Sequence, residues 1–189
     1  VLPAGIAADT KACARFMREA QTAGKLNHPN VVGVYSTGVR EGTPWYAMEL
    51  VDGETLAQVL AKLRAAAPET VTPFGKKDEV RYFANLAEAI AAVADGLQHA
   101  HSKGVTHRDI KPSNLILDGE GRLRILDFGL ARLEGQESLT ASGDFLGTPL
   151  YMSPEQARRK KIPVDHRTDI YSLGATLYEM LALRPPFQG

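Results

Sequence analysis

Residues 107–114 read HRDIKPSN, and thirteen positions after Asn114 the chain reads DFG at 127–129. These two strings bring a pair of aspartates, a lysine and an asparagine into one short stretch. Asp109 is a group that can accept or orient the proton of a hydroxyl. Lys111, two residues on, is a compact positive charge. Asn114 and Asp127 supply the oxygen ligands that a hard cation such as Mg²⁺ prefers. Asp and Asn also close Asx-turns with no chemistry at all, and at this level both readings stand.

Upstream of this stretch, residues 9–26 carry helix formers with Ala12, Phe16, Ala20 and Ala23 at helical spacing, and Asp9 or Thr10 can cap the start. His28-Pro29 ends that helix, since the residue before a proline is pushed out of the helical region. Residues 31–38 and 44–51 read as two strands joined by the turn residues Arg40 to Thr43. Residues 53–67 read as a helix and 68–78, with two prolines and a glycine, as a loop. A long helix then runs to about His101, with Leu86, Ile90, Val93 and Leu97 as one buried stripe. Short β segments are predicted around the motif loops from 105 to 127. Downstream, 129–150 is rich in Gly, Ser and Thr and reads as a loop, and Asp169 to Leu183 as a buried helix.

The composition bounds the function classes. The hydrophobic share is 44% and the charged share 23%, ordinary for a soluble globular protein. Lys+Arg and Asp+Glu are both 22, so nothing points to nucleic-acid binding or to electrostatic attachment to a membrane. A single cysteine, Cys13, excludes an internal disulfide and a cysteine metal cluster, in keeping with a reducing compartment and a cytoplasmic location. The most apolar stretches, 87–97 and 170–183, are too short to span a bilayer. The opening VLPAGIAADTK has no signal-peptide pattern and, lacking Met, reads as an interior start.

With GTPLYMSPE at 147–155 added, the chain resembles a protein kinase domain, specifically the eukaryotic-like (Hanks-type) serine/threonine kinases of bacteria. His107, Arg108, Asp109, Lys111 and Asn114 match five fixed letters of one family motif. By chance that is on the order of one in ten thousand for a chain of this length. The resemblance implies an α+β, two-lobed protein-kinase fold, partial. Residues 1–51 are then the remnant of the N-terminal lobe with its hinge, and 52–189 the incomplete C-terminal catalytic lobe. It implies ATP and Mg²⁺ as cofactors and protein Ser/Thr hydroxyls as acceptors, with no nucleic-acid partner.

Carried over residue by residue, the resemblance makes Asp109 the base, Lys111 the charge stabiliser, and Asn114 and Asp127 the metal ligands. Thr148 falls where such kinases place a threonine bonded to Asp109 and Lys111. Lys111 and Thr148 together imply Ser/Thr rather than Tyr as acceptor. Met48, Glu49 and Val51 match the adenine-binding hinge, Ile116 the residue beneath the adenine, and Glu19 the helix glutamate that pairs with a strand lysine. His107 is implied to be a packed residue, stacked with Phe128, Ala23 and Val34 and held by Asp169. Arg108 is implied to take a phosphate on the loop that carries Thr140 and Ser142, with Ser138 a weaker site.

The chain departs from the family pattern in three places. Ser153 stands where an alanine is usual. The expected arginine partner of Glu155 and the glycine-rich loop with its strand lysine do not occur in these residues. The 189 residues alone are therefore expected to be unstable and to show little kinase activity. Two other classes compete. A pseudokinase scaffold usually lacks residues such as Asp109, Asn114 or Asp127, and an aminoglycoside-type phosphotransferase lacks the GTPLYMSPE segment. Family members often continue into a membrane helix and a sensor, so membrane attachment of a parent protein is open.

Overall fold

The computed structural model describes residues 10–66, 71–76, 80–128, 149–157 and 164–187. Helix α1 (Thr10–Ala23) buries Phe16, Ala20 and Ala23, three of the positions expected from helical spacing. Asp9 and the Ala12 side chain lie outside what is described. The helix unwinds through tight turns, with Gly24, Lys25 and Leu26 donating to Ala20, Thr22 and Ala23, just ahead of His28-Pro29.

Strands β1 (Val34–Arg40) and β2 (Thr43–Met48) pair antiparallel, with Arg40 opposite Thr43. The two turn residues between them, Glu41 and Gly42, both have positive φ, at 52° and 77°. That is the primed turn whose twist suits a hairpin. Gly38 is required by close approach, because a Cβ there would lie 2.6 Å from the Trp45 ring. The second strand stops at Met48, short of the expected 51, so the predicted hinge residues Glu49 and Val51 lie beyond it.

The predicted helix over 53–67 is divided. Residues Gly53–Thr55 form strand β3, and the helix α2 runs over Leu56–Ala65. Thr55 begins it with a capping box: its Oγ1 accepts from Gln58 N–H, and the Gln58 side chain accepts from Thr55 N–H. That arrangement satisfies two donors at the helix start. The predicted loop 68–78 contains a small hairpin, β4 (Val71–Thr72) with β5 (Gly75–Lys76). Burial of Phe74 and an Asn85 side-chain bond to its carbonyl fold that hairpin onto the next helix, a tertiary effect that Pro and Gly content did not foretell.

Helix α3 (Val80–Ser102) carries Tyr82, Leu86, Ile90, Val93, Leu97 and Ala100 inward, extending the expected stripe. It ends with Gly104 at φ 75° while Val105 N–H bonds back to Ala100, a left-handed helix stop. Strands β6 (Leu115–Asp118) and β7 (Leu123–Ile125) join β3 in a sheet of order β3-β6-β7. A short helix α4 (Pro154–Ala157) leads to α5 (Arg167–Ala182). Leu56, Leu60, Leu86, Leu115, Leu123, Ile125 and Met180 are almost fully buried, so one core runs between α2, α3, α5 and the sheet.

The hairpin half and the helical half are stapled where 30–32 meets β7. Ile125 N–H donates to Asn30, Val32 N–H donates to Ile125, and the Asn30 amide donates to the Leu123 carbonyl over 2.9 Å. Among the described residues no helix is long and apolar enough to cross a membrane.

Candidate active site

The loop between α3 and β6 is held from below by one buried carboxylate. Asp169, in the first turn of α5, has no exposed surface. Its Oδ2 accepts from His107 N–H at 2.8 Å and faces His101 Nε2 at 2.7 Å, and its Oδ1 accepts from Arg108 N–H at 2.6 Å. Arg108 needs that support, because its φ of 70° is a left-handed conformation costly for a residue with a Cβ. A second bond, from the Gln156 side chain to the Arg108 carbonyl at 2.8 Å, pins the other side of the same residue.

His107 is fully buried and works as a bracket. Its Nε2 bonds the Leu126 carbonyl at 2.8 Å, and its Nδ1 accepts from Asp109 N–H at 3.2 Å. The ring sits edge-on to Phe128 with centroids 4.9 Å apart. Ala23, Val34 and Phe128 line the same small cavity between α1, β2 and the start of the 127–129 string. The stack expected of these residues is therefore assembled, with His107 as a packed residue.

On this platform Asp109, Lys111 and Asn114 converge. Lys111 Nζ lies 2.6 Å from Asp109 Oδ2, and Asn114 Nδ2 donates to the same oxygen and to the Asp109 carbonyl, both at 2.8 Å. Each side chain of the Asp109–Lys111 pair remains about one-third exposed, at 32% and 36%, so the pair is open to a substrate. Among the described residues, Asp109 Oδ1 carries no bond of its own. Because Asn114 spends its NH₂ on Asp109, its amide oxygen is the atom left for a ligand.

Leu126 N–H donates to the Asn114 carbonyl at 2.9 Å, which sets Asp127 beside Asn114. Asp127 is exposed and, like Arg108, has a left-handed φ of 55°. The donor set, one amide oxygen and one carboxylate, is hard and sparse. No cluster of three His, Cys, Asp or Glu forms among the described residues. Such a set fits Mg²⁺, which keeps waters and phosphate oxygens in its shell rather than taking an all-protein cage.

The residues expected to border the adenine occupy the facing edge. Met48 lines the cavity beside Asp127, and Ile116 lies on β6, 8% exposed and opposite Thr55. Glu49 is gripped by Arg124 of β7 through two bonds, at 2.5 Å and 2.7 Å, and its N–H bonds Gly33. The Arg124 hydrogen bond, opposed by partial desolvation, holds the Glu49 carboxyl below its ordinary range; the same partnership raises Arg124. Glu19 lies half-buried on α1, three residues after Phe16.

Three arrangements carried no signal legible in the sequence. Tyr46 donates its hydroxyl to Asp127 Oδ1 at 2.9 Å. Glu179 of α5 bonds both Arg64 of α2 and the Tyr151 hydroxyl, and burial together with that carboxylate pushes the Tyr151 hydroxyl well up. Ser153, the departure from the family motif, is fully buried and hydrogen-bonded to Thr168 at 2.6 Å and to Gln156 at 3.1 Å. Its hydroxyl thus has partners where an alanine would need none. Thr148, Ser138, Thr140 and Ser142 lie outside the described residues.

Residues 6–189 match the family model for the protein kinase domain. Among curated proteins, the probable serine/threonine-protein kinase SCO3848 of Streptomyces coelicolor is 40% identical over 194 residues. That match covers 100% of this chain and 26% of the relative. Serine/threonine-protein kinase PknB of Mycobacterium tuberculosis is 40% identical over 195 residues, covering 100% of this chain and 28% of its own. The chain thus spans between a quarter and a third of these relatives' length. Among solved structures, the PknI kinase domain of Mycobacterium tuberculosis matches with a TM-score of 0.72 at 31% identity, over 100% of this chain and 64% of that one.

Proposed function

The chain belongs to the protein kinase domain family, and from that premise we propose that the full-length protein transfers the γ-phosphoryl group of ATP to serine or threonine hydroxyls of proteins. The observation that carries this reading is the convergence of Lys111 and Asn114 on one oxygen of Asp109, with Asp127 set alongside by the Leu126–Asn114 bond. Phosphoryl transfer needs positioning and charge neutralisation more than covalent chemistry, and those four residues supply both.

Asp109 orients the acceptor hydroxyl and takes its proton, with Oδ2 committed to its neighbours. Lys111 balances charge on the transferring group. The Asn114 amide oxygen and the Asp127 carboxylate hold Mg²⁺, which when bound neutralises the phosphate oxygens. On the other side of the cleft, the backbone of Glu49 and Val51 takes the adenine, between Met48 and Ile116. Glu19 pairs with a lysine of the full-length protein. The division of the lobes at residue 51 is supported by β3, which starts at Gly53 and pairs with β6.

Thr148 completes the acceptor site. Phosphorylation of Thr140 or Ser142 orders the loop by pairing with Arg108, whose backbone is already fixed by Asp169 and Gln156. No glycine-rich phosphate-covering loop occurs within the 189 residues. The segment by itself is expected to turn over little, and the test belongs in the full-length protein.

That test is phosphotransfer from ATP to a protein acceptor, with the modified residue type identified. Asp109→Asn is expected to lower turnover by roughly 10²- to 10⁴-fold, the usual span for a positioned acid or base, and Asp127→Ala to abolish it with the fold intact. Full turnover in both variants would end the assignment.

A further inference from the structure

Tyr46 lies on β2 two residues before Met48, so both side chains leave the strand on one face. Phe16 of α1 packs on its ring, with centroids 5.7 Å apart. At the far end of the ring the hydroxyl donates to Asp127 Oδ1 over 2.9 Å, between residues 81 positions apart. A group on the hairpin half thus grips a carboxylate assigned above to the cation.

The geometry points to Tyr46 as a positioning residue for metal binding: its hydroxyl fixes the rotation of the Asp127 carboxylate through Oδ1 and presents Oδ2 to the cation, and its ring ties that orientation to α1. This rests on the assignment of Asp127 as a metal ligand. An exposed carboxylate turns freely about a soft, roughly twofold torsion, so a cation that binds it must first stop that rotation. A neutral donor on one oxygen stops it in advance and leaves the charge in place. Outer-shell hydrogen bonds of this kind govern metal affinity as well as orientation. Tyr46 bears no charge, so it does not replace the cation.

The link to Phe16 has a further consequence. When α1 moves away from β2, the ring loses its packing and the hydroxyl its aim. The helix that carries Glu19 and the ligand Asp127 are then set together through one side chain.

The experiment is a titration of the full-length protein with Mn²⁺ in the presence of a non-hydrolysable ATP analogue, free Mn²⁺ being read by electron paramagnetic resonance. Tyr46→Phe removes the hydroxyl and keeps the contact with Phe16. It is expected to weaken Mn²⁺ binding about tenfold, the lower end for an outer-shell partner, with the melting temperature unchanged. Asp127→Asn is the reference. If it leaves Mn²⁺ binding intact, the ligand assignment falls and this proposal with it. If Asp127→Asn weakens binding while Tyr46→Phe leaves it unchanged or tightens it, the ligand assignment stands and the role of Tyr46 is overturned. Phe16→Leu is expected to weaken Mn²⁺ binding in the native background and to add nothing in Tyr46→Phe. Additive effects would break the link to α1.

Discussion

Asp169→Asn tests whether the catalytic loop owes its shape to one buried carboxylate. The native side chain answers two backbone N–H groups, from His107 and Arg108, with separate oxygens, and one of those oxygens also meets His101. An amide has a single acceptor oxygen. Whichever way it turns, its NH₂ group faces either the His107 or the Arg108 N–H, donor against donor. One bond to a charged group is lost, at about 1.5–3 kcal/mol, and a buried N–H is left without a partner, at about 1–3 kcal/mol. The two costs overlap, so the net destabilisation is about 2–4 kcal/mol. That is a large part of the ~5–15 kcal/mol that holds a domain together.

Thermal unfolding of the purified full-length protein reads this as a fall in Tm of roughly 4–16 °C for this unit, at about 2–4 °C per kcal/mol. Activity should fall further than stability at the assay temperature explains. Once the Arg108 peptide is released from its left-handed conformation, Asp109 moves with it, and a displacement of about 1 Å can cost ~10²-fold. The loss should appear in kcat with the KM for ATP little changed, because Glu49 is held by Arg124 on β7. A Tm within about 1 °C of wild type, together with full turnover, would refute the reasoning.

Two other substitutions probe the sheet and the hinge. Gly53→Ala would place a Cβ 2.2 Å from the Leu117 carbonyl oxygen; since backbone cannot swing aside, separation of β3 from β6 is expected to cost about 1–3 kcal/mol, read by denaturant unfolding. Glu49→Gln removes the ionised partner of Arg124. The folded Glu49 carboxyl is held below the usual 4.5, chiefly by Arg124, so its contribution is complete above the unfolded value and is lost as pH falls through the lower folded value. The stability gap between wild type and variant should be constant above about pH 5 and close on further acidification; a gap that widens on acidification would contradict this.

The catalytic motif was legible because its roles need particular residue types at fixed spacing, and Asp109, Lys111 and Asn114 meet as that spacing implied. The stripe Leu86, Ile90, Val93 and Leu97 was legible for a similar reason, since a long helix repeats one signal. Strand β3 was not. Gly53 and Glu54 disfavour a strand and Thr55 stands alone in favouring one, so the pairing with residues 116–118 is created by the sheet the segment joins. A usable signal existed one step on, in the Thr55-x-x-Gln58 capping pattern, which marks 55 as the boundary where the helix begins. The 71–76 hairpin hid behind its Pro and Gly because burial of Phe74 against α3 decides it. Asp169 and Glu179 look alike in sequence, two acids on one helix. The resemblance pointed to Asp169 as the anchor beneath His107, but only the fold shows that Glu179 receives Arg64 and Tyr151.

The contacts across the cleft explain why such distant residues must be read together. Asp109, Lys111 and Asn114 are organised within the helical half, through His107, Asp169 and Gln156, and owe little to the hairpin half. Arg124 joins Glu49 to β7 by two bonds and makes a third to the Val31 carbonyl at 3.2 Å, so the edge proposed to take adenine is referenced to the same sheet as the catalytic loop. The Asp127 carboxylate differs from both, because Tyr46 holds it from the hairpin half and Phe16 holds Tyr46 from α1. On the roles proposed above, a shift of α1 can therefore change the metal ligand while the nucleotide-binding edge and the catalytic base stay in place. On the same assignment, metal binding, rather than ATP affinity or the geometry of Asp109, is the step this architecture leaves open to control from the hairpin half.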